Sequence, residues 1–124
     1  MLRIFLLVSV FVWLPYGLMC FFFPSVVGEF NGMQALGDTG LIEFKAIYGG
    51  LQSGMGLLVL MAVMNSRFER PALLMLMFLC GAMGFARFIA TDFDGAVSFY
   101  TYMAVVLEGT TALLAFWLLG EAQE

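Results

Sequence analysis

Four long apolar stretches follow one another along the chain, separated by shorter polar ones. They run from about residues 2 to 23, 42 to 64, 71 to 90 and 97 to 119. Each approaches or exceeds the roughly 20 apolar residues that an α-helix needs to cross the hydrocarbon core of a bilayer. The pattern therefore predicts an all-α, polytopic membrane protein. Residues 1–124 are expected to form a single transmembrane domain, an antiparallel bundle of four transmembrane helices.

The polar stretches between these spans predict how the helices are connected. Residues 65–70 and 91–95 are short enough for tight turns, so neighbouring helices are expected to be antiparallel. Pro71 suits the first turn of the third helix. The connector of residues 24–41 is longer and mixes glycines with apolar side chains. That mixture favours a segment that lies along the membrane surface.

The composition agrees with burial in lipid. The 124 residues are 63% hydrophobic and 11% charged, whereas soluble domains average about 45–50% and about 25%. Five basic residues are too few to neutralise a run of phosphates, so no nucleic-acid partner is expected. Histidine is absent and the cysteines are two, Cys20 and Cys80. Neither a metal site nor another cofactor is expected, and the two thiols are predicted to be unpaired.

Charged residues that flank the spans predict the orientation. The basic ones at one side are Arg3, Arg67 and Arg70, and the acidic ones at the other are Glu29, Asp38, Asp92 and Asp94. Basic residues concentrate on the cytoplasmic side of membrane proteins. Both termini are therefore expected to be cytoplasmic.

A few ionisable or polar side chains lie within or at the ends of the predicted spans. They are Glu43, Lys45, Tyr48 and Gln52 on the second helix, Arg87 on the third and Glu108 on the fourth. Such groups are costly in lipid unless they face the bundle interior or a water-filled cavity. Steps of three and four residues place all of them except Glu43 on one seam of each helix, beside small residues. Facing one another, the three seams would form a polar intramembrane cluster.

Within this cluster, Arg87 and Glu108 are expected to form an ion pair. With a rise of 1.5 Å per residue, they lie ~5 Å and ~15 Å below the outer helix ends. Each side chain leans toward the N-terminus of its own helix, so the two converge, and Glu43 or Tyr48 is expected to complete the network. Two interpretations are open. The cluster is either a clamp that fixes helix register or a cavity that holds a ligand head group or relays a proton.

Glycines in the spans predict close helix packing. Gly50 and Gly54 form a GxxxG pair, Gly49 lies four residues before Ser53, and Gly84 lies on the seam of the third helix. Small residues at this spacing let helix backbones approach each other. Packing within the chain is the expectation for all four glycines, with homodimerisation as the alternative.

Residues 43–50, EFKAIYGG, resemble the E-x-R-A-x-Y-G-G signature of a family of bacterial four-helix membrane proteins. That family is a domain of unknown function, distantly similar to DoxX-type proteins. The resemblance extends through Gly84, Arg87, the Asp94-Gly95 turn and Glu108. It implies a bacterial inner-membrane protein with the polar cluster at its centre, and no established reaction. Lys45 stands where the family more often has arginine, which keeps the charge but loses the planar fork.

Three functions are consistent with these observations, and none of them is catalytic. The first is an accessory or assembly subunit of a larger membrane complex. The second is a protein that binds a lipid, a quinone or another small amphiphile at the polar cluster. The third is a small proton-coupled transporter that uses Glu108. An enzyme is not expected, because no set of nucleophile, base and orienting group can be recognised.

Overall fold

The computed structural model describes residues 1–94 and 98–121, and all regular structure in these ranges is helical. The α-helices are α1 (Leu2–Phe22), α2 (Pro24–Asn31), α3 (Gly37–Phe44), α4 (Gln52–Met64), α5 (Glu69–Asp94) and α6 (Phe99–Glu121). A π-helical segment, Lys45–Leu51, joins α3 directly to α4, and a 3-10 turn, Ser66–Phe68, precedes α5.

Four helical stretches are long and apolar enough to cross a bilayer. They are Leu2–Phe22, Gly37–Met64, Ser66–Thr91 and Phe99–Glu121. A helix satisfies its backbone hydrogen bonds internally, which is what a segment surrounded by hydrocarbon requires. Many large apolar side chains, among them Phe11, Phe78 and Phe116, point outward, where lipid would cover them. The predicted all-α class and the four spans are confirmed.

The second span begins earlier than the sequence predicts. Its helix starts at Gly37 rather than near residue 42, because α3, the π-helical segment and α4 follow one another without a break. The predicted connector therefore contains the whole of α2 and the first turn of α3. Two glycines with positive φ, Gly32 at 72° and Gly37 at 70°, permit the change of direction between these helices. The position of the connector, residues 24–41, on the membrane surface stays a prediction.

The third helix ends later than predicted. It continues to Asp94, so the turn expected to begin at residue 91 is wrong for residues 91–94. Thr91 fits within a helix because its hydroxyl donates a hydrogen bond to the carbonyl of Phe88, at 2.7 Å. Gly95, the predicted start of the last span at residue 97, and the tail of residues 122–124 lie outside the described residues. The fourth helix is described from Phe99.

The chain divides into two compact units, Met1–Glu69 and Arg70–Glu124. In the first unit α1 lies antiparallel to the second span, since Gly17 meets Ser53 and Leu14 meets Gly56. In the second unit α5 lies antiparallel to α6, since Gly84 meets Glu108 and Gly81 meets Ala112. The single domain predicted for residues 1–124 stays a prediction.

One face of each span is buried, with steps of three and four residues. On α1 these residues are Leu6, Ser9, Trp13, Gly17 and Cys20, and on α6 they include Ala104, Glu108, Thr111 and Ala115. The buried stripe on α6 is the one that the spacing predicts. Cys20 and Cys80 are buried and free, as expected.

Candidate functional site

The seams of α5 and α6 meet through small residues. A Cβ atom built on Gly84 would lie 3.3 Å from the Cβ of Glu108 and 3.4 Å from the backbone nitrogen of Gly109. One turn away, a Cβ on Gly81 would lie 3.6 Å from the Cβ of Ala112. Because Gly84 has no side chain, the two backbones can approach closely at the depth of Glu108. This is the packing position that the sequence predicts for Gly84.

An ion pair joins the same two helices. The Nε of Arg87 donates hydrogen bonds to both carboxylate oxygens of Glu108, at 3.1 and 3.0 Å. The Glu108 side chain is 3% exposed and that of Arg87 is 26% exposed. The guanidinium carbon also lies 6.0 Å from the ring centroid of Tyr100, within the range of a cation–π contact. The predicted pairing of Arg87 with Glu108 is therefore observed.

In the first unit, glycines bring the second span against α1. A Cβ on Gly56 would lie 2.6 Å from the backbone nitrogen of Leu14, and one on Gly49 would lie 2.9 Å from the Cβ of Phe21. A Cβ on Gly17 would collide with the backbone of Ser53. The seam of the second span is predicted to face the third and fourth helices. For Gly49 and Gly56 this is wrong, because these two glycines pack on α1.

The packing of Gly17 against the second span was not predicted. It lies on the buried face of α1, opposite Ser53. The first helix has no charged residue beyond Arg3, so its contact face offered no polar signal. The available signal was the step of three and four residues that relates Trp13, Gly17 and Cys20.

Gly50 and Gly54 point away from the rest of the first unit. No described atom outside the helix's own neighbouring backbone would come within 4 Å of a Cβ on Gly54, and Gly50 would meet the carbonyl oxygen of Lys45 at 3.9 Å. The GxxxG pair therefore has no packing partner within the first unit, and its packing within the chain stays a prediction. Gly49 and Gly50 are adjacent, so one of them turns outward when the other contacts α1. We call the outward surface of Ile47, Gly50, Gly54, Leu57 and Met61 the glycine face.

The segment that resembles the family signature is π-helical from Lys45 onward. The half-buried Lys45 places its ammonium nitrogen 5.7 Å from the ring centroid of Phe21. Tyr48 stacks on Phe44, with ring centroids 4.9 Å apart and an interplanar angle of 27°. Both side chains thus have an aromatic partner in the first unit. π-Helical turns are rare in proteins, and many of those that do occur lie at functional sites.

Glu43 departs from its predicted place in the cluster. It is exposed, near the end of α3 and just before the π-helical segment. Because the span starts at Gly37, Glu43 falls in the second turn of the helix, where head groups and water can solvate a carboxylate. Its inclusion in a buried cluster is therefore wrong. Completion of the Arg87–Glu108 pair by Tyr48 stays a prediction.

Gln52 is the buried polar residue of the second span. It is 5% exposed, and its Oε1 atom has no hydrogen-bond partner among the described residues. A buried acceptor without a donor costs about 1–3 kcal/mol, and such a group in a native protein calls for an explanation. A polar ligand or a water molecule that donates to Oε1 would supply one.

Replacing Gln52 with methionine is expected to raise the free energy of unfolding by about 1–3 kcal/mol, because it removes the unmatched acceptor at similar volume. Reversible unfolding of the purified protein in micelles measures the change. Gln34→Met is the matched control, since Gln34 is exposed and its replacement should change stability by less than about 0.5 kcal/mol. A loss of stability in Gln52→Met alone would mean that a copurifying molecule satisfies the amide.

Two adjoining clefts open where α2 turns toward α3. The larger, of about 460 Å³, is lined by Pro24, Ser25, Glu29, Met33, Gln34, Ala35, Gly37, Leu41 and Phe44. The smaller, of about 400 Å³, shares four of these residues and adds Leu36, Gly40 and Tyr48. Volumes of this size fit a small-molecule site. The sequence does not predict these clefts, because α2 and the turns at Gly32 and Gly37 create them.

Comparison with protein-family models finds one match that covers nearly the whole chain. The model is described as Domain of unknown function (DUF4345), and it matches residues 1–119. Comparison with curated proteins finds no match, and comparison with solved structures finds none either. The distant similarity to DoxX-type proteins stays a prediction.

Proposed function

The chain belongs to the family of the Domain of unknown function (DUF4345), and from this premise we propose that it is a non-catalytic membrane subunit that assembles with another membrane protein. The outward position of Gly50 and Gly54 is the observation that carries the proposal. In lipid, helices associate through close packing rather than through removal of apolar surface from water. The glycine face offers a shallow groove to a partner helix.

The cost of these glycines supports the same proposal. Each glycine in a helix interior is less favourable than alanine by about 1 kcal/mol. Gly49 and Gly56 offset this cost by their contacts with α1, whereas Gly54 contacts no described side chain. A partner helix would give Gly50 and Gly54 the close contact that the described residues of the first unit do not supply.

The ion pair suits a clamp within this assembly subunit. Arg87 and Glu108 neutralise each other between α5 and α6, and their positions fix how far one helix slides along the other. The proposed location is the bacterial inner membrane with both termini in the cytoplasm. Arg3, Arg67 and Arg70 support that orientation through the distribution of basic residues.

Substitution of Gly54 by leucine tests the association. We expect at least a tenfold weaker association, which corresponds to about 1.4 kcal/mol, because the side chain fills the groove. Gentle solubilisation followed by native gels and mass measurement gives the size and composition of the complex. Gly109→Leu is the matched control, since a Cβ on Gly109 also has no described neighbour within 4 Å but lies on α6.

Two outcomes would contradict the proposed association. One is a wild-type protein that stays a monomer of 13.7 kDa in native membranes after cross-linking. The other is an equal loss of the complex in Gly54→Leu and Gly109→Leu. Unchanged thermal unfolding in both variants would show that neither result comes from misfolding.

A second candidate function is binding of a lipid, a quinone or another small amphiphile. The clefts beside α2 and the unmatched acceptor of Gln52 favour it. Proton-coupled transport is less well supported, because Glu108 is 3% exposed and bonded to Arg87, which hinders proton exchange with water. The cleft allows the amphiphile to be specified more closely.

A further inference from the structure

The larger cleft lies wholly in the first unit and is held in shape by two hydrogen bonds. The Nδ2 of Asn31 donates to the hydroxyl of Tyr16 at 2.7 Å, which ties the end of α2 to α1. The backbone nitrogen of Met33 donates to the carbonyl of Gly28 at 2.8 Å, which closes the same helix end. The walls are therefore preorganised, and a ligand would meet little ordering cost.

The charge of the cleft is negative. Of the lining residues that the structure describes, Glu29 alone is ionisable, and the other polar side chains are those of Ser25 and Gln34. The described residues include no ion-pair partner for Glu29. A cationic group would therefore complement this site, and an anionic head group alone would be repelled.

The position along the chain indicates the depth of the cleft. Its first lining residue, Pro24, follows the end of α1, and Gly37 begins the second span. The first and second spans thus each have an end beside the cleft. Because the ends of spans lie at the level of the lipid head groups, the cleft lies at that level too. Phe30, 77% exposed, and the exposed Val26 and Leu36 lie on the same segment and are apolar enough to enter the acyl region.

We propose that this cleft binds a phospholipid whose head group carries a primary ammonium, such as phosphatidylethanolamine. The ammonium has three N–H donors, which the Glu29 carboxylate, the Ser25 hydroxyl and the Gln34 carbonyl can accept. The adjoining apolar wall, which includes Leu41 and Phe44, receives an acyl chain. This inference rests on the second candidate function and is independent of the glycine face.

A choline head group fits the same cleft less well. Its trimethylammonium has no N–H to donate, and proteins recognise such cations with cages of aromatic rings. Among the lining residues that the structure describes, the larger cleft has one aromatic ring, that of Phe44. The chemistry therefore selects a hydrogen-bonding ammonium over a quaternary one.

Native mass spectrometry of the full chain with added lipid tests the proposal. Phosphatidylethanolamine and phosphatidylcholine with identical acyl chains are the probes. We expect the wild type to bind the ethanolamine lipid about tenfold more tightly and Glu29→Gln to lose that preference. Asp38→Asn is the matched control, because it also removes one exposed carboxylate but Asp38 does not line the cleft.

The proposal is overturned if the wild type binds both lipids equally, or if Glu29→Gln keeps the preference. Competition by free ethanolamine at the same concentration as the lipid would instead identify a soluble amine as the ligand. Glu29 is exposed, so its replacement should leave thermal unfolding unchanged. Failure of the association test with Gly54→Leu would leave these lipid measurements unaffected, so the two proposals can fail separately.

Discussion

Replacing Glu108 with alanine while Arg87 remains is expected to lower the free energy of unfolding by about 3–5 kcal/mol. The carboxylate is 3% exposed and accepts both hydrogen bonds from the Nε of Arg87. Without it, the Arg87 guanidinium would lose the carboxylate to which it is bonded between the two helices, and desolvation of the remaining charge is the main cost. Reversible unfolding of the purified protein, by titration of a lipid micelle with denaturing detergent, measures the loss.

The double variant Arg87→Met with Glu108→Leu distinguishes a structural clamp from a site that binds a ligand or relays a proton. Replacing both charges by apolar residues of similar size is neutral or stabilising in other buried pairs, so most of the lost stability should return. If the pair is a clamp, this variant should also keep its native association. A loss of less than about 1 kcal/mol in Glu108→Ala would show that water solvates the pair, contrary to its burial.

Replacing Gly56 with alanine is expected to cost about 3 kcal/mol of stability. The new Cβ would lie 2.6 Å from both the backbone nitrogen and the Cβ of Leu14, and neither atom can rotate away. The α1 backbone would have to shift, which also separates Gly17 from Ser53 and Gly49 from Phe21. The same detergent titration measures the change.

Gly54→Ala is the matched control for this substitution. It lies two residues away in the same helix, and no described atom would meet its Cβ within 4 Å. Helix propensity alone then applies, so the alanine should gain up to about 1 kcal/mol. Equal stabilities for Gly54→Ala and Gly56→Ala would contradict the packing of the second span on α1.

The spans and the ion pair were predictable because strong physical constraints determine them. A run of about 20 apolar residues can be satisfied in lipid by a helix, whatever its neighbours. Arg87 and Glu108 start at different depths, but their side chains lean toward each other, and an unpaired charge there is costly. The packing of Gly84 was predictable because Gly84 lies on the same face of the third helix as Arg87. The ion pair also needed the third and fourth helices to be antiparallel neighbours, and the short connection between them predicts this.

The second span could not be read with the same accuracy because its helical period changes. The π-helical segment alters the number of residues per turn between Lys45 and Leu51. A constant step of 3.6 residues therefore relates the positions before the segment incorrectly to those after it. The choice between Gly49 and Gly50 as the packing residue depends on the same shift.

The clefts illustrate a different limit. They depend on the left-handed backbone of Gly32 and Gly37 and on the hydrogen bond between Asn31 and Tyr16. Glycine permits such a backbone but does not require it, so the sequence alone does not fix the direction of α2. The sequence indicates the negative charge of Glu29, and the structure shows that this residue lines the larger cleft.

The close pairing of Arg87 with Glu108 also determines how the second unit responds to a transmembrane voltage. An elementary charge that crosses the whole membrane exchanges about 2.3 kcal/mol per 100 mV with the electric field. The two opposite charges here are joined by an N–O distance of 3.0 Å, about a tenth of the hydrocarbon thickness, so the field acts on a short dipole worth at most about 0.2 kcal/mol. This is below thermal energy. The pair therefore gives the protein no gating charge, and polarisation of the membrane leaves this contact between α5 and α6 in place.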